Sequence, residues 1–465
     1  MDFQPEYYLA IAMFLSFIVL IFTGFPVAWV LAGVGIAFTG IAWLSDNIME
    51  WTGTGLDYNT LGLLTGRLFN IMDNWVLVAL PMFIFMGLML DKSGVAEQMM
   101  KSMQRLFGNV KGGLAITVTI IGIILAASTG IVGASVVLLG LMSLPVMMKQ
   151  GYDKQLALGT IAASGTLGIL IPPSIMLVIM GDQLGVSVGD LFMGAVIPGL
   201  MLGILYISYI LIYGKIFPEK APLAKDHTEI HLADVLQVMI DIVPPALLIL
   251  AVLGSIFMGI ATVTEASGIG ALGATILSAA YKKLNFSVIK EVVINTMNTS
   301  AYIFAIFIGA TIFALVLRES GGDELIESAL NSLGLGPYAL IAAVLLFIFI
   351  LGFFLDWIEI SLIILPLLGP VVVGLDLAVD GYGVIDNPNL VWFALLVAVT
   401  LQTSFLTPPV GFSIFYLKGV CPEGIKLTDI YKGVFPFVIL QLIGLGLIFA
   451  FPQLVTWLPS VAYGN

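Results

Sequence analysis

The sequence predicts an all-α polytopic membrane protein, and three observations carry that prediction. Hydrophobic residues make up 60% of the 465-residue chain and charged residues 10%, with a mean hydropathy of +1.11. A soluble globular surface needs about 25% charged residues, so a water-solvated fold is excluded. The apolar runs are helical in length, far past the ~10 residues of a membrane β-strand, so the spans are helices and not a barrel. Disorder fails on the same composition, and the lack of a basic stripe leaves no nucleic-acid partner. The net charge of −12 is divided among loops on both faces of a bilayer and marks no partner surface. With one cysteine, Cys421, there is no disulfide framework or Cys-based cluster. His227 and His231 lie in a polar segment without further ligands and read as solvated residues, not a metal site.

The elements follow in chain order. Residues 1–6 lack a basic signal region, so the run at 7–22 is expected to be a retained span, joined to a second (26–44) at Gly24-Phe25-Pro26. A polar loop to about 74 precedes a span ending near Leu90, and these form one set of scaffold spans (7–91). An arm at 93–108 carries apolar residues at helical spacing with charges opposite, the pattern of a helix lying along the interface. The run 113–148 is broken in its middle and reads as a re-entrant hairpin, and 155–181 as a discontinuous helix; a span at 190–214 closes the first half, 1–214. Residues 215–239 are the longest hydrophilic segment and read as a cytoplasmic linker. The second half, 240–465, repeats the order: scaffold spans (240–317), an arm (322–333), a hairpin (337–375), a discontinuous helix (390–417) and a last span (434–458).

Three landmarks recur in one order: Pro172-Pro173 and Pro408-Pro409 lie 236 positions apart, Ser93-Gly94 and Ser320-Gly321 227, and Pro145 and Pro366 221. Charge supports the same threading. If both hairpins enter and leave on one side, each half has an odd number of crossings and the second half is inverted. Fifteen of the seventeen Lys and Arg residues then share one side, leaving Arg67 and Arg318 on the other. The crowded side is cytoplasmic by the positive-inside rule, and both termini are outside.

Unwound backbone at membrane depth must be buried in protein or line a polar cavity. Inverted repeats with opposed hairpins and discontinuous spans describe a secondary transporter. Freed carbonyls and hydroxyls suit Na⁺, a hard cation, and half-helix N-termini suit an anionic substrate group. The first hairpin tip offers Ser128, Thr129, Gly130, Gly133 and Ser135, and its facing break Ser164, Gly165, Thr166, Pro172 and Pro173. The second tip offers Asp356, Trp357 and Glu359, and its break Thr403, Ser404, Thr407 and Pro408. A Na⁺ seat is expected near Asp356, Ser128 and Ser164, with substrate between the tips. Each hydroxyl also has a bland reading, as a packing group or a bond to an i−4 carbonyl. Asp356 stands apart, because an acid among Phe353, Phe354, Leu355 and Trp357 is costly at membrane depth. Glu265 lies near a span end, where a structural role competes with a functional one. No phosphate loop, catalytic triad or ATP-binding motif is present, so the chain is not read as an enzyme, and no cofactor is implied beyond the coupling ion.

The segments Gly112-Gly113-Leu114-Ala115, Gly151-Tyr152-Asp153, Ile171-Pro172-Pro173-Ser174-Ile175, Thr264-Glu265-Ala266 and Thr407-Pro408-Pro409-Val410-Gly411 resemble the large membrane subunit (DctM type) of TRAP transporters, the tripartite ATP-independent periplasmic carriers. The resemblance covers nearly the whole chain, in the family's order. It implies an elevator mechanism coupled to Na⁺, a small four-helix membrane subunit, a periplasmic binding protein that delivers an organic acid, and a bacterial inner membrane. Many relatives carry an acid after the first tip. Here Ser128-Thr129-Gly130-Ile131-Val132-Gly133-Ala134-Ser135 has none, which resembles the subgroup associated with mannitol, chloroaromatic compounds and 2-oxo or 2-hydroxy acids. The competing readings are a stand-alone Na⁺-coupled carboxylate carrier and a channel or structural scaffold.

Overall fold

Proline and glycine fix where the helices start. The computed structural model describes residues 4–129, 132–223 and 231–463, without the side chains of 126–129. Helix α1 (Pro5–Ile21) opens on a proline, whose missing N–H costs nothing in a first turn. Helix α2 (Val27–Asn47) follows Pro26, and the expected loop before residue 74 contains a short helix, α3 (Leu63–Met72). Helix α4 (Ala79–Lys92) leads into α5 (Val95–Leu106) through Ser93-Gly94. Gly94 has φ +73°, and Gly321 before the second arm has φ +75°, a left-handed conformation that glycine adopts without a Cβ penalty. The serine before each glycine donates to a carbonyl of the preceding helix, Ser93 Oγ to Leu90 O at 2.5 Å and Ser320 Oγ to Val316 O at 2.8 Å.

Helices α6 (Gly113–Thr129) and α7 (Val132–Gln150) pack on one another and on α8 (Lys154–Thr166). Asp153 caps α8 by accepting from Gln155 N and Leu156 N at 3.0 and 3.1 Å. Its neighbour Tyr152 accepts from Leu114 N at 3.1 Å at the start of α6, and burial pushes the Tyr152 phenol up to about 12. The Gly151-Tyr152-Asp153 segment thus satisfies orphan N–H groups at two helix starts. Helices α9 (Ile175–Leu184) and α10 (Val188–Ile216) end this part.

Helix α11 (Leu232–Phe257) starts inside the segment read as a linker. Asp234 accepts from His231 N at 3.0 Å, so polar residues that suggest a solvated stretch instead cap and face the first turns of a helix. His227 lies outside the described residues. Helix α12 (Val263–Ala280) starts with Glu265 accepting from both Thr262 N and Thr262 Oγ1 at 2.8 Å, while Thr264 Oγ1 donates to Trp75 O at 2.7 Å. Glu265 is therefore an exposed capping residue at a helix start. Helices α13 (Phe286–Glu319), α14 (Gly322–Ser332) and α15 (Pro337–Leu351) lead to the second tip. Beyond it come α16 (Trp357–Glu359), a π-turn (Ile360–Ile364) and α17 (Leu365–Val373).

Helices α18 (Pro388–Leu406) and α19 (Phe412–Val420) flank the second break. The expected final span is two helices, α20 (Leu427–Ala450) and α21 (Gln453–Tyr463), because Phe451-Pro452 stops the first and Pro452 provides the carbonyl that opens the second. Among the described residues there is no β-strand, and nine helices are long and apolar enough to cross a membrane.

Helix α13 packs along α2 and α4, α12 lies on α4, and α11 covers α12 and α5. The second group surrounds α8 and α18. From Leu156 to Thr166 and from Leu390 to Leu406 every residue is buried, polar ones included. A helix enclosed on all sides needs internal partners for its polar groups. Trp392 Nε1 finds Ile448 O of α20 at 2.9 Å. The two arms differ. On α5, Val95, Ala96, Met99, Met100 and Met103 are buried against protein while Lys101 pairs with Glu97 at 2.7 Å on the outer face. On α14, Leu325, Ile326 and Leu330 line an open apolar cavity of about 410 Å³.

Candidate functional site

Two broken helices, each following one of the interrupted apolar runs, frame the candidate site. In the first, α8 tightens into a 3₁₀ turn at Leu167–Ile169 and unwinds through Pro172-Pro173, where neither residue offers an N–H. Ser174 then caps α9, accepting from Leu177 N at 3.5 Å and donating to Ile169 O at 2.5 Å. In the second, Thr407 is extended (φ −94°, ψ 128°) before Pro408-Pro409, and Ser413 Oγ donates back across the break to Phe405 O at 2.9 Å. Both Pro-Pro peptides are cis.

The hydroxyls predicted at these breaks share one feature: their protons are committed to other oxygens. Thr403 Oγ1 donates to Val399 O (2.8 Å), Thr407 Oγ1 to Thr403 O (2.7 Å), and Thr166 Oγ1 to Ala163 O (2.8 Å). Ser404 Oγ donates to Phe349 O of α15 at 3.0 Å, and Ser164 Oγ to Thr119 Oγ1 of α6 at 3.3 Å. A hydroxyl whose proton is spent presents only lone pairs, so it can accept a donor or ligate a cation. The local i−4 bonds and the lone-pair role coexist.

At the second tip, α15 ends at Leu351 and the chain turns through Gly352–Leu355. Asp356 is half-buried and stands at the head of α16, its Oδ1 accepting from Trp357 N at 2.8 Å. Glu359, one turn on, is 1% exposed and its Oε2 has no hydrogen-bond partner among the described residues. Tyr302 of α13 and Tyr416 of α19 lie within electrostatic reach of both carboxylates, and the Ser361 hydroxyl beside them is buried and unpartnered. No described Lys or Arg forms an ion pair with Asp356 or Glu359. An ionised carboxylate without donors or a cation is expensive in such surroundings.

The structure brings several predicted residues together. Thr166 receives the Nε2 groups of Gln402 (3.4 Å) and Gln441 (3.5 Å). Gly352 lies against Ser404, Gly165 against Val136 of α7, and Gly133 against the ring of Tyr416 on α19. The start of α7 therefore packs against the helix that follows the second break. Ser135 is buried on α7. Gly130 and the side chains of Ser128 and Thr129 lie outside the described residues. Ser164 turns to α6 and Asp356 to the start of α16, and no hydrogen bond joins them among the described residues. Sequence reasoning missed Gln402, Gln441, Tyr302 and Tyr416. The signal for the first two was legible: an amide inside an apolar run, as in Ile439-Leu440-Gln441-Leu442, is costly unless bonded. For the tyrosines only the tertiary fold supplies it. Among the described residues no group of three or more His, Cys, Asp or Glu could hold a metal.

Comparison with known proteins agrees with this architecture. The chain is 29% identical over 472 residues to the C4-dicarboxylate TRAP transporter large permease protein DctM of Rhodobacter capsulatus, covering 97% of this chain and 98% of that one. It is 26% identical over 450 residues to the sialic acid TRAP transporter large permease protein SiaM of Vibrio cholerae, covering 96% and 97%. The crystal structure of the Alcanivorax borkumensis YdaH transporter matches with a TM-score of 0.57 at 13% identity, over 84% of this chain and 88% of that one, a likeness of fold alone. Residues 14–454 match the family described as the tripartite ATP-independent periplasmic transporter, DctM component, and the chain belongs to that family.

Proposed function

We propose that this chain is the transport subunit of a three-part secondary transporter that imports a small organic carboxylate coupled to Na⁺. The observation that carries the proposal is the pair of carboxylates at the second tip, Asp356 half-buried and Glu359 buried with an unpartnered oxygen, neither ion-paired to a described Lys or Arg. A small hard cation offsets that charge best, and hydroxyl lone pairs and the carbonyls freed at the breaks add oxygen ligands. Asp356, Glu359, Thr403, Ser404 and Thr407 would hold one ion. Ser164 with residues of the first tip would serve a second.

The halves 1–214 and 240–465 form inverted repeats, with both termini periplasmic. Helices α6–α10 and α15–α21 move as one body past α1–α4 and α11–α13, carrying substrate across as an elevator. The arms α5 and α14 connect the bodies. A small membrane subunit braces the scaffold, and a periplasmic binding protein delivers the substrate. The relatives are named for a C4-dicarboxylate and for sialic acid, whose shared chemistry is a carboxylate. A 2-oxo or 2-hydroxy acid is the finer proposal.

Reconstituted vesicles containing both membrane subunits decide the matter. An inward Na⁺ gradient should drive uptake above the equilibrium level, and only with the binding protein added. Uptake that stops at equilibrium would leave a channel, and uphill uptake without the binding protein would leave a stand-alone carrier.

A further inference from the structure

The chain has three arginines, and two of them, Arg67 and Arg318, are the only cations that the charge pattern assigns to the outer side; all the lysines fall on the other. They are far apart in sequence, yet both line one cavity of about 160 Å³ together with Gln183, Thr311, Pro366 and Leu367. Arg67 projects from α3 and Arg318 from the end of α13, while Pro366 and Leu367 belong to α17, beyond the second tip. Arg318 Nε pairs with Asp323 Oδ2 at 2.7 Å, which uses one of its five N–H donors. Arg67 makes no ion pair among the described residues. Gln183 donates its amide to Asp182 Oδ2 at 2.8 Å, leaving its carbonyl oxygen uncommitted.

We propose that this cavity is an outer vestibule that receives a small organic carboxylate before it reaches the tips. The chemistry selects the ligand class. Two guanidinium forks match carboxylates in a bidentate way that lysine cannot, and they sit where outer loops are otherwise acidic. A negative outer face repels an anion, and two converging cations lower that barrier locally and raise the rate of encounter. Helix α13 also links the vestibule to the site, carrying Arg318, Thr311 and then Tyr302, which lies within electrostatic reach of Asp356 and Glu359. The inference rests on the transport reading for its direction, and its test is independent of coupling.

Phenylglyoxal labelling of the purified full chain, read by mass spectrometry, uses succinate as the probe. Succinate should slow modification of Arg67 and Arg318 several-fold relative to NaCl at matched ionic strength. The exposed Arg105 on α5 should be unaffected. The protection should persist in Asp356→Asn, which separates the vestibule from the ion seat. In vesicles, Arg67→Gln and Arg318→Gln should raise KM with kcat and Na⁺ dependence little changed. Equal protection by NaCl, no protection at either arginine, or a fall in kcat with unchanged KM would overturn the vestibule. Protection without any Na⁺-driven uptake would leave the vestibule standing and contradict the transport reading instead.

Discussion

Gln402 donates to Thr166 across the centre of the second helix group, and these two residues lie 236 positions apart, the spacing that also separates Pro172 from Pro408. The residue six before one double proline therefore bonds the residue six before the other. Gln441 of α20 adds a second donor to the same oxygen. Thr166 Oγ1 accepts from both Nε2 groups, so removing its oxygen takes a partner from two buried amides. Thr166→Val should destabilise the protein by about 1–3 kcal/mol, and Thr166→Ser by much less. Thermal unfolding in detergent measures both. Equal stability of the Val variant would show that the bonds contribute nothing.

Gly352 is a second point of close approach. A Cβ there would stand 2.5 Å from Ser404 Oγ and 2.9 Å from Ser404 Cβ. Gly352→Ala should push the tip off α18 and cost about 1–3 kcal/mol, as overpacking does. Adding Ser404→Gly should recover part of the loss, and no recovery would mean that the strain lies elsewhere.

Asp153 holds the start of α8 through two backbone N–H groups. Asp153→Ala should cost about 1 kcal/mol, and Asp153→Asn, which keeps an acceptor oxygen, less. Matching losses in the two variants would assign the effect to charge and not to capping.

The inverted threading has its own test. On a Cys421→Ser background, Lys154→Cys and Asp380→Cys should react with a membrane-impermeant maleimide from opposite faces. Both positions are exposed and neither is glycine, so backbone strain does not confuse the result. Labelling from one face would overturn the inversion.

The breaks and the arms were legible because proline and glycine leave local marks, Pro172-Pro173, Pro408-Pro409, Gly94 and Gly321, that no distant residue can undo. The break before α21 was hidden because Phe451-Pro452 lies inside the apolar run read as one last span, 434–458. The start of α11 was hidden by Asp234 and Gln237, polar residues that serve a helix start as well as a linker. In the site, sequence favoured Asp356 over Glu359, since Phe353, Phe354, Leu355 and Trp357 flank it. The fold distinguishes them: Asp356 spends an oxygen on the N–H of Trp357, while Glu359 is more deeply buried and keeps Oε2 unpartnered. Gln441 and Tyr416 join the site from α20 and α19, and no local pattern ties them to it.

The central claim is that the charge at the second tip seats the coupling cation. Its most direct test is Na⁺-driven uptake into vesicles by the wild type, Asp356→Asn and Glu359→Gln, with folding checked by thermal unfolding. Both substitutions keep size and most hydrogen bonding while removing charge. The account predicts folded variants whose uptake is lost or needs far higher Na⁺. Unchanged Na⁺ dependence in both would contradict it and leave the two acids as structure.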